Sequence, residues 1–237
     1  MQTTKKNVYV ILAFIFFLII FPFIINIYKG LKFKKTKEKV HFINVPLVSK
    51  NQIKKLINTI LKHGIVLDPS HNYNNSKGRK LTCEKIPSEL KKQFMNDILL
   101  QKSSDTVGLK LNFAPNEEKY RIFARLYQDE DDWLNFHYDN NFTKGLRYTV
   151  VIPLYYSSKN TCNFVIKDNN FHDKIVNIPI GKAVIYNGSE IYHKISKQTK
   201  NQKRLVLILP LYTNYDQNIF HKLRMKARSI IYKVLKL

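Results

Sequence analysis

An uncharged apolar run near the N-terminus is the first feature of the hydrophobic pattern. It covers residues 8–25 and continues to Tyr28. A helix rises about 1.5 Å per residue, so a run of this length can cross the apolar core of a bilayer. No small-residue cleavage site follows it, which argues against a removed signal peptide. The pattern predicts a retained transmembrane anchor over residues 1–29.

Helical spacing dominates residues 41–119, which follow a lysine-rich tether at residues 30–40. Residues 42–48 can begin the folded part as a short strand. Apolar positions recur at helical spacing in residues 51–63, and Gly64 ends that run. A second helix is predicted from Glu89 to about Lys102, and the polar residues 68–80 are interpreted as an exposed loop. Residues 41–119 are therefore predicted to form a helical support region that packs on a core. Ser88 is the predicted cap of the second helix, and Leu90, Phe94, Ile98 and Leu99 are its predicted inner face.

Short β-rich runs replace this pattern from Tyr120. They read RIFARLY, LNFHYD, RYTVVIPLYY, NFVIKD, KIVNIPI, KAVIYNG and RLVLILPLY, with Asn, Gly and Lys turns between them. Closely spaced strands of this kind are typical of a sandwich or barrel and not of alternating βαβ units. Residues 120–213 are thus the predicted core of a mainly β fold with flanking helices (α+β). Residues 214–237 form a predicted basic amphipathic helix, which either lies on an anionic membrane surface or packs across the β-domain.

Composition adds a strong basic bias and very few cysteines. The formal charge of +23 would attract polyanions such as nucleic acid or a membrane surface. The lysines are scattered along the whole chain beside many Asn and Ile, so the charge indicates compositional bias as much as a binding stripe. Cys83 and Cys162 are too few for a disulfide framework. Free thiols are the simpler interpretation, although one bridge between them stays open.

Two sequence features bear on the membrane side of the large domain. Lys5 and Lys6 precede the apolar run, and six lysines follow it between residues 29 and 39. This bias places the domain on the cytosolic face. N-glycosylation motifs at Asn74, Asn141 and Asn187 would matter only in a secretory lumen. We expect a single-pass protein, with the cytosolic side favoured and the lumen left open.

His137-Tyr138-Asp139 is the one His-x-Asp or His-x-Glu tripeptide in the chain. On a strand, residues i and i+2 point to the same face, so the imidazole and the carboxylate would converge. A third ligand could come from His193, in the segment that follows KAVIYNG. Two histidines and one carboxylate leave coordination positions open, which is the facial triad of non-haem Fe(II) oxygenases. A chelating 2-oxo acid and dioxygen would fill those positions.

A 2-oxo diacid also needs a cation for its distal carboxylate. Arg204 begins RLVLILPLY eleven positions after His193, and a guanidinium binds a carboxylate bidentately. Each of these pieces has a structural alternative when taken singly. The His-x-Asp could be a surface pair, His193 a packing residue, and Arg204 an ion-pair partner for the acidic residues 129–132.

Taken in order, these motifs resemble the 2-oxoglutarate/Fe(II)-dependent dioxygenase superfamily, and in particular its prolyl-4-hydroxylase-like branch. The resemblance covers about residues 120–212 and implies a double-stranded β-helix (jelly roll), here preceded by the transmembrane helix. It implies Fe(II) on His137, Asp139 and His193, and 2-oxoglutarate on Arg204. Dioxygen is the further cosubstrate, ascorbate is an optional reductant, and no catalytic residue beyond the metal centre is implied. The matching positions are Tyr127, His137, Asp139, Arg147, Thr149, residues 160–164, Pro179, Gly181, His193 and Arg204.

Tyr127 matches a tyrosine that commonly hydrogen-bonds 2-oxoglutarate in this superfamily, and Thr149 is a weaker candidate beside it. Residues 160–164 stand where the family often has a Gly-Gly turn, and prolyl hydroxylases usually carry Lys at the position of Arg204. The substrate is therefore not inherited from the resemblance.

Several functions remain open at this point. A protein side chain such as peptidyl proline is the expected substrate, and a small-molecule or lipid hydroxylase is the alternative. A nucleic-acid demethylase is not expected, because its relatives carry a second arginine six positions after the cosubstrate arginine, where this chain has Pro210. From a different class, the β-domain could be a non-catalytic basic module that binds an acidic partner or a membrane.

Overall fold

A computed structural model describes residues 40–70, 76–158 and 162–217. The predicted anchor at residues 1–29, residues 30–39 of the tether and residues 218–237 of the C-terminal helix lie outside these ranges. Within the described ranges, no helix combines the length and apolarity that a membrane crossing requires.

Antiparallel strands form one curled sheet, as the closely spaced β-rich runs predict. The strands are β1 His41–Asn44, β2 Ile65–Leu67, β3 Ser76–Leu81, β4 Asn112–Phe113, β5 Phe123–Tyr127, β6 Trp133–His137, β7 Arg147–Tyr156, β8 Phe164–Lys167, β9 Asp173–Val176, β10 Lys182–Asn187, β11 His193–Ile195 and β12 Arg204–Tyr212. Their hydrogen-bonded order is β1-β10-β7-β12-β5-β3-β6-β11-β8-β9. In addition, β2 pairs with β3 and β4 pairs with β12. Strand β3 pairs with β5 on one side and with β6 on the other, so it joins the two halves of the sheet.

The two halves of the sheet face each other across an apolar interior. Val184 and Val206 of the first half belong to the same buried cluster as Phe164, Ile166 and Ile195 of the second half. An antiparallel sheet that curls over its own face in this way is jelly-roll-like. The predicted mainly β architecture with flanking helices is therefore confirmed in the described part of the chain.

The helices cover the outer face of the first half. They are α1 Lys50–His63, α2 Ser88–Phe94 and α3 Asp97–Val107. A capping box begins α1, because the Ser49 hydroxyl accepts from the Gln52 backbone N–H and the Gln52 side chain accepts from the Ser49 N–H. Leu56 and Ile60 of α1 are buried in the outer core. The predicted helix and its end at Gly64 are confirmed.

The second predicted helix is divided in two. Asn96 separates α2 from α3, since its side chain accepts from the Leu99 N–H over 2.9 Å and caps α3. The break changes the helical phase, so Leu90, Phe94 and Leu99 are buried while Ile98 is 68% exposed. The prediction of Ile98 on the inner face was wrong for this reason. Ser88 is the first helical residue and not the cap, which is Pro87.

The predicted loop at residues 68–80 is also corrected. Residues 76–81 form β3 in the middle of the sheet. Gly78 adopts a φ of +132°, and a Cβ atom there would lie 3.1 Å from the Leu126 carbonyl oxygen. The strand reads SKGRKL, so no apolar alternation marks it, and only its pairing partners make it a strand.

Two compact units are distinguished by their contacts. The larger comprises Lys35–Asn141 and Gly145–Tyr215 and holds all the helices and strands named above. In the smaller unit, Thr143 and Gln217 form an isolated antiparallel bridge.

The division between α2 and α3 gives a stability prediction. Phe94→Ala should lower the free energy of unfolding by about 3–5 kcal/mol, because a buried aromatic leaves a cavity. Ile98→Ala should change it by less than about 0.5 kcal/mol, as expected at an exposed site. Urea unfolding of both variants, followed by circular dichroism, checks this. A loss at Ile98 as large as the loss at Phe94 would mean that one continuous helix buries both.

Candidate metal centre

Two histidines face each other across neighbouring strands. His137 ends β6 and His193 begins β11, and the two residues are paired in the sheet with ring centroids 4.2 Å apart. The Nδ1 atom of His137 lies 2.8 Å from the Asn135 carbonyl oxygen, and that of His193 lies 2.9 Å from the Ile191 carbonyl oxygen. Each Nδ1 therefore carries the proton and donates it. Both Nε2 atoms keep a lone pair for a metal.

Asp139 brings a carboxylate to the same space, although it lies beyond the end of β6. Its backbone N–H donates to the Gly188 carbonyl oxygen over 2.7 Å, which turns the residue back over the sheet. Oδ1 is 3.7 Å from His137 Nε2 and 4.0 Å from His193 Nε2. Ligand atoms of the three residues all lie within 4.8 Å of one another. This spacing fits a set of residues that would hold one metal ion.

Two residues of β7 contact the other carboxylate oxygen of Asp139, Oδ2. The Thr149 hydroxyl donates a short hydrogen bond to Oδ2. Arg147 Nη2 lies 3.8 Å from the same oxygen. These two contacts use Oδ2 and leave Oδ1 facing the imidazoles, as outer partners of metal-binding carboxylates do. In the structure Thr149 thus contacts the carboxylate directly.

Gly188 is a part of the site that the sequence did not identify, because it reads as an ordinary turn residue after KAVIYN. A Cβ atom at this position would collide with Asp139 Oδ2 and would lie 2.8 Å from Asp139 Cγ. The close approach of the Asp139 side chain to this backbone therefore requires glycine. Tyr186 of β10 was missed as well, and its hydroxyl lies 3.2 Å from His193 Nε2.

The electrostatics leave Asp139 and His193 in the protonation states that metal binding requires. Burial by itself would raise the pKa of Asp139, but Arg147 and the two imidazoles hold that pKa well below its usual range. Burial lowers the pKa of His193 to about 3, and His137 adds to this effect. At neutral pH the site offers a carboxylate and a neutral His193 imidazole, so no proton has to leave them before a metal binds.

Arg204 is a buried cation without a carboxylate partner among the described residues. Its side chain is 1% exposed, and its three nitrogens make no hydrogen bond of standard geometry with the residues that the structure describes. Tyr156 and Cys162 interact with the guanidinium, but neither is a carboxylate counterion. The acidic residues 129–132 were the alternative ion-pair partners of Arg204. Asp132 of this run does not pair with Arg204, because its Oδ2 accepts from the backbone N–H groups of Gln128 and Asp129. A buried guanidinium with unused donors is costly, so this position suits a bound anion.

Aromatic and apolar groups surround Arg204. Tyr127 and Tyr156 are its partners on the two neighbouring strands, with ring centroids 5.6 Å and 6.0 Å from its Cζ atom. Cys162 is a buried free thiol and Cys83 is also free, in agreement with the simpler interpretation of the two cysteines. The predicted cosubstrate residues Tyr127 and Arg204 are thus brought together.

Arg204 and the metal ligands share the inner face of the sheet. Arg204 and Pro210 lie six residues apart on β12, so both point to this face. Pro210 is paired with Thr149, which contacts Asp139. A dianionic ligand that reaches from the ion toward Arg204 would therefore lie along this face.

Comparison with known proteins gave matches to solved structures only. No protein-family model matches the sequence. No curated protein matches it either. A prolyl-4-hydroxylase of Pseudomonas putida matches with a TM-score of 0.51 at 11% identity, over 77% of this chain and 95% of that chain. An oxidoreductase of the 2OG-Fe(II) oxygenase family from Burkholderia pseudomallei matches with a TM-score of 0.54 at 11% identity, over 76% and 87% of the two chains.

HygX of Streptomyces hygroscopicus, solved with nickel, 2-oxoglutarate and hygromycin B bound, matches with a TM-score of 0.51 at 12% identity, over 74% of this chain and 83% of that chain. At these identities the similarity establishes a shared fold. The fold is the one that the motif order implied.

The contact between Gly188 and Asp139 gives a prediction about metal binding. Gly188→Ala should weaken the binding of Mn(II) or Fe(II) by about 10- to 100-fold, because the new methyl group displaces the carboxylate. His137→Ala, which removes a ligand, sets the scale for the loss. Calorimetric titration of the purified full chain measures both.

Gly108→Ala is the matched control. Gly108 has a φ of +69° and no atom within 4 Å of an added Cβ, so the change should lower stability by about 1 kcal/mol without affecting the metal. Equal metal affinity in the Gly188→Ala variant and in the wild type would contradict the proposed geometry.

Proposed function

We propose that this chain is an Fe(II)- and 2-oxoglutarate-dependent oxygenase. The proposal rests on one combination, a buried and unpaired Arg204 on the same inner face as the His137, Asp139 and His193 ligand set. A metal site alone would suit many reactions. The buried guanidinium of Arg204 is in addition suited to bind an anion. A 2-oxo diacid that chelates the metal could place its distal carboxylate at Arg204.

Each residue of the site has a separate role in this proposal. His137, Asp139 and His193 would hold Fe(II), which together with 2-oxoglutarate and dioxygen supplies the oxidising chemistry for hydroxylating a C–H bond. Thr149 and Arg147 orient the carboxylate. Arg204 binds the distal carboxylate of the cosubstrate, with Tyr127 beside it.

The walls around these groups are apolar. Val151, Val184 and Val206 are buried in the apolar cluster that also contains Tyr127 and Tyr186. They exclude water from the reacting atoms, which strengthens the charged contacts and limits side reactions.

A protein side chain such as peptidyl proline is the substrate that we propose first. A prolyl-4-hydroxylase is among the structures with this fold, and the order of motifs resembles that branch. A small-molecule or lipid hydroxylase is the second candidate, because HygX was solved with hygromycin B bound. The ligand set argues against a purely non-catalytic basic module, since such a module has no need of three converging metal ligands.

The membrane anchor is a further part of the proposal. Residues 8–25 carry no charge and the lysine-rich residues 30–40 follow them, while every proposed ligand lies beyond residue 120. Anchoring and chemistry should therefore be separable. Nucleic acid is not proposed as a partner.

The cosubstrate assignment is tested by kinetics. The purified chain should convert 2-oxoglutarate to succinate and CO₂ only when Fe(II) is present. Arg204→Ala should raise the KM for 2-oxoglutarate at least about tenfold, since a charge-assisted contact contributes about 1.5–3 kcal/mol. Lys203→Ala, a change at the exposed neighbouring position, should leave this KM unchanged. A normal KM in the Arg204→Ala variant would move the role to another cation, such as Lys203 or Arg147.

The anchor is tested by fractionation. Removal of residues 1–29 should release the protein from the membrane fraction. The truncated protein should still decarboxylate 2-oxoglutarate when no primary substrate is present. Residual binding through the basic residues 218–237 should fall as salt rises, because screening weakens exposed charge contacts. Salt-resistant membrane binding of the truncated protein would contradict a single N-terminal anchor.

A further inference from the structure

Two cations lie directly opposite each other on the inner face of the sheet. Lys80 of β3 is paired with Arg125 of β5, so their side chains share a face. Like charges in this arrangement are destabilising unless something compensates them. Arg125 is 7% exposed, and its Nε has no hydrogen-bond partner among the described residues. In the described part of the chain, neither cation forms an ion pair with a carboxylate.

Aromatic rings compensate only part of the charge of Lys80. Its Nζ lies 3.7 Å from the ring centroid of Tyr120 and 4.5 Å from that of Phe123. These cation–π contacts stabilise the ammonium group, but they supply no negative charge. Burial lowers the pKa of Lys80 to about 7, with further lowering by Arg125, Arg147 and Lys119, and Asp139 acts in the opposite direction. A bound anion would supply the negative charge that pairs with this ammonium group.

The two cations lie beside the proposed cosubstrate residues but are distinct from them. Arg125 is two residues before Tyr127, and its Nη1 donates to the Tyr127 hydroxyl over 3.3 Å. Lys80 reaches in the other direction, to Phe123 and to Tyr120, which is 38% exposed. The pair therefore extends from the cosubstrate pocket to the solvent-exposed edge of the interior.

The other charged groups of this region already have partners in the proposed function. The two carboxylates of 2-oxoglutarate are assigned to the metal and to Arg204, and Arg147 lies against Asp139. Glu118 is held by the Tyr215 hydroxyl over 2.6 Å and by the Tyr120 backbone N–H over 3.2 Å. Among the described residues on the inner face, Lys80 and Arg125 are cations that have no such partner.

We infer that Lys80 and Arg125 bind an acidic group of the primary substrate, so that a peptide substrate carries Asp, Glu or a phosphorylated residue next to the residue that is oxidised. This inference rests on the proposed function for the identity of the reaction. The binding of an anion at the two cations does not depend on it. Two cations that share one face, one of them beside the partly exposed Tyr120, are suited to a carboxylate or phosphate that enters with the substrate.

Matched peptides test the inference on the full-length protein. The probes are fluorescein-labelled, proline-centred peptides that differ only beside the proline, with Asp, Asn or phosphoserine at the same position. Binding is measured by fluorescence anisotropy, both with Mn(II) and 2-oxoglutarate and without them. The Asp peptide should bind at least about tenfold more tightly than the Asn peptide, as expected for one desolvated charge pair. Tighter binding of the phosphoserine peptide than of the Asp peptide would identify phosphate as the source of the acidic group.

Substitutions of Lys80 assign the effect to this pair. Lys80→Met keeps the length of the side chain and should remove the discrimination between the Asp and Asn peptides, whereas Lys80→Arg should keep it. Lys182→Met, at an exposed position on β10, is the control and should behave as the wild type. Equal binding of the Asp and Asn peptides to the wild type, or full discrimination in the Lys80→Met variant, would overturn the inference.

Turnover of 2-oxoglutarate separates this inference from the proposed function. In the Lys80→Met variant the KM for 2-oxoglutarate without peptide should stay within about twofold of the wild type, because the cosubstrate contacts Arg204 instead. A tenfold rise would mean that the cations serve the cosubstrate, which would contradict the inference. If the wild type discriminates between the peptides but never consumes 2-oxoglutarate, the proposed function fails and the anion site stands.

Discussion

The fixed orientation of one carboxylate is the constraint on which the rest of the site depends. Asp139 lies past the end of its strand, so the strand by itself does not determine where its side chain points. The backbone hydrogen bond to Gly188 and the contacts of Thr149 and Arg147 on Oδ2 hold it toward the two histidines. Because Gly188 leaves room for the carboxylate, β7 contacts Oδ2 while the histidines of β6 and β11 face Oδ1.

An excess of positive charge in the interior is the second feature of this fold. Arg204, Arg125 and Lys80 point inward without carboxylate partners among the described residues. Buried cations reduce the stability of the ligand-free protein, and anions that bind only the folded state restore it. Binding and stability are therefore coupled at this site. Under the proposed function, an acidic cosubstrate and an acidic substrate would both stabilise the folded protein.

Strong local patterns explain which elements could be predicted from the sequence. The strands β7 and β12 match their β-rich runs from end to end, and α1 matches its helical spacing. Strand β3 could not be predicted, because it is a polar strand that depends on its neighbours. The break between α2 and α3 was missed because the Asn96 cap competes with a helical pattern that would otherwise continue. Both errors arise where pairing or capping outweighs periodicity.

Spacing along the chain and the family resemblance are enough to predict the three proposed metal ligands, their order and Arg204. The contacts of these residues could not be predicted in this way. Thr149 contacts Asp139, residue 188 must be glycine, and Arg204 has no carboxylate partner in the described part of the chain. The sheet also brings Lys80 opposite Arg125, forty-five positions away in the chain. Spacing along a strand sets which face a residue occupies, whereas contacts between distant segments depend on how the sheet curls and pairs.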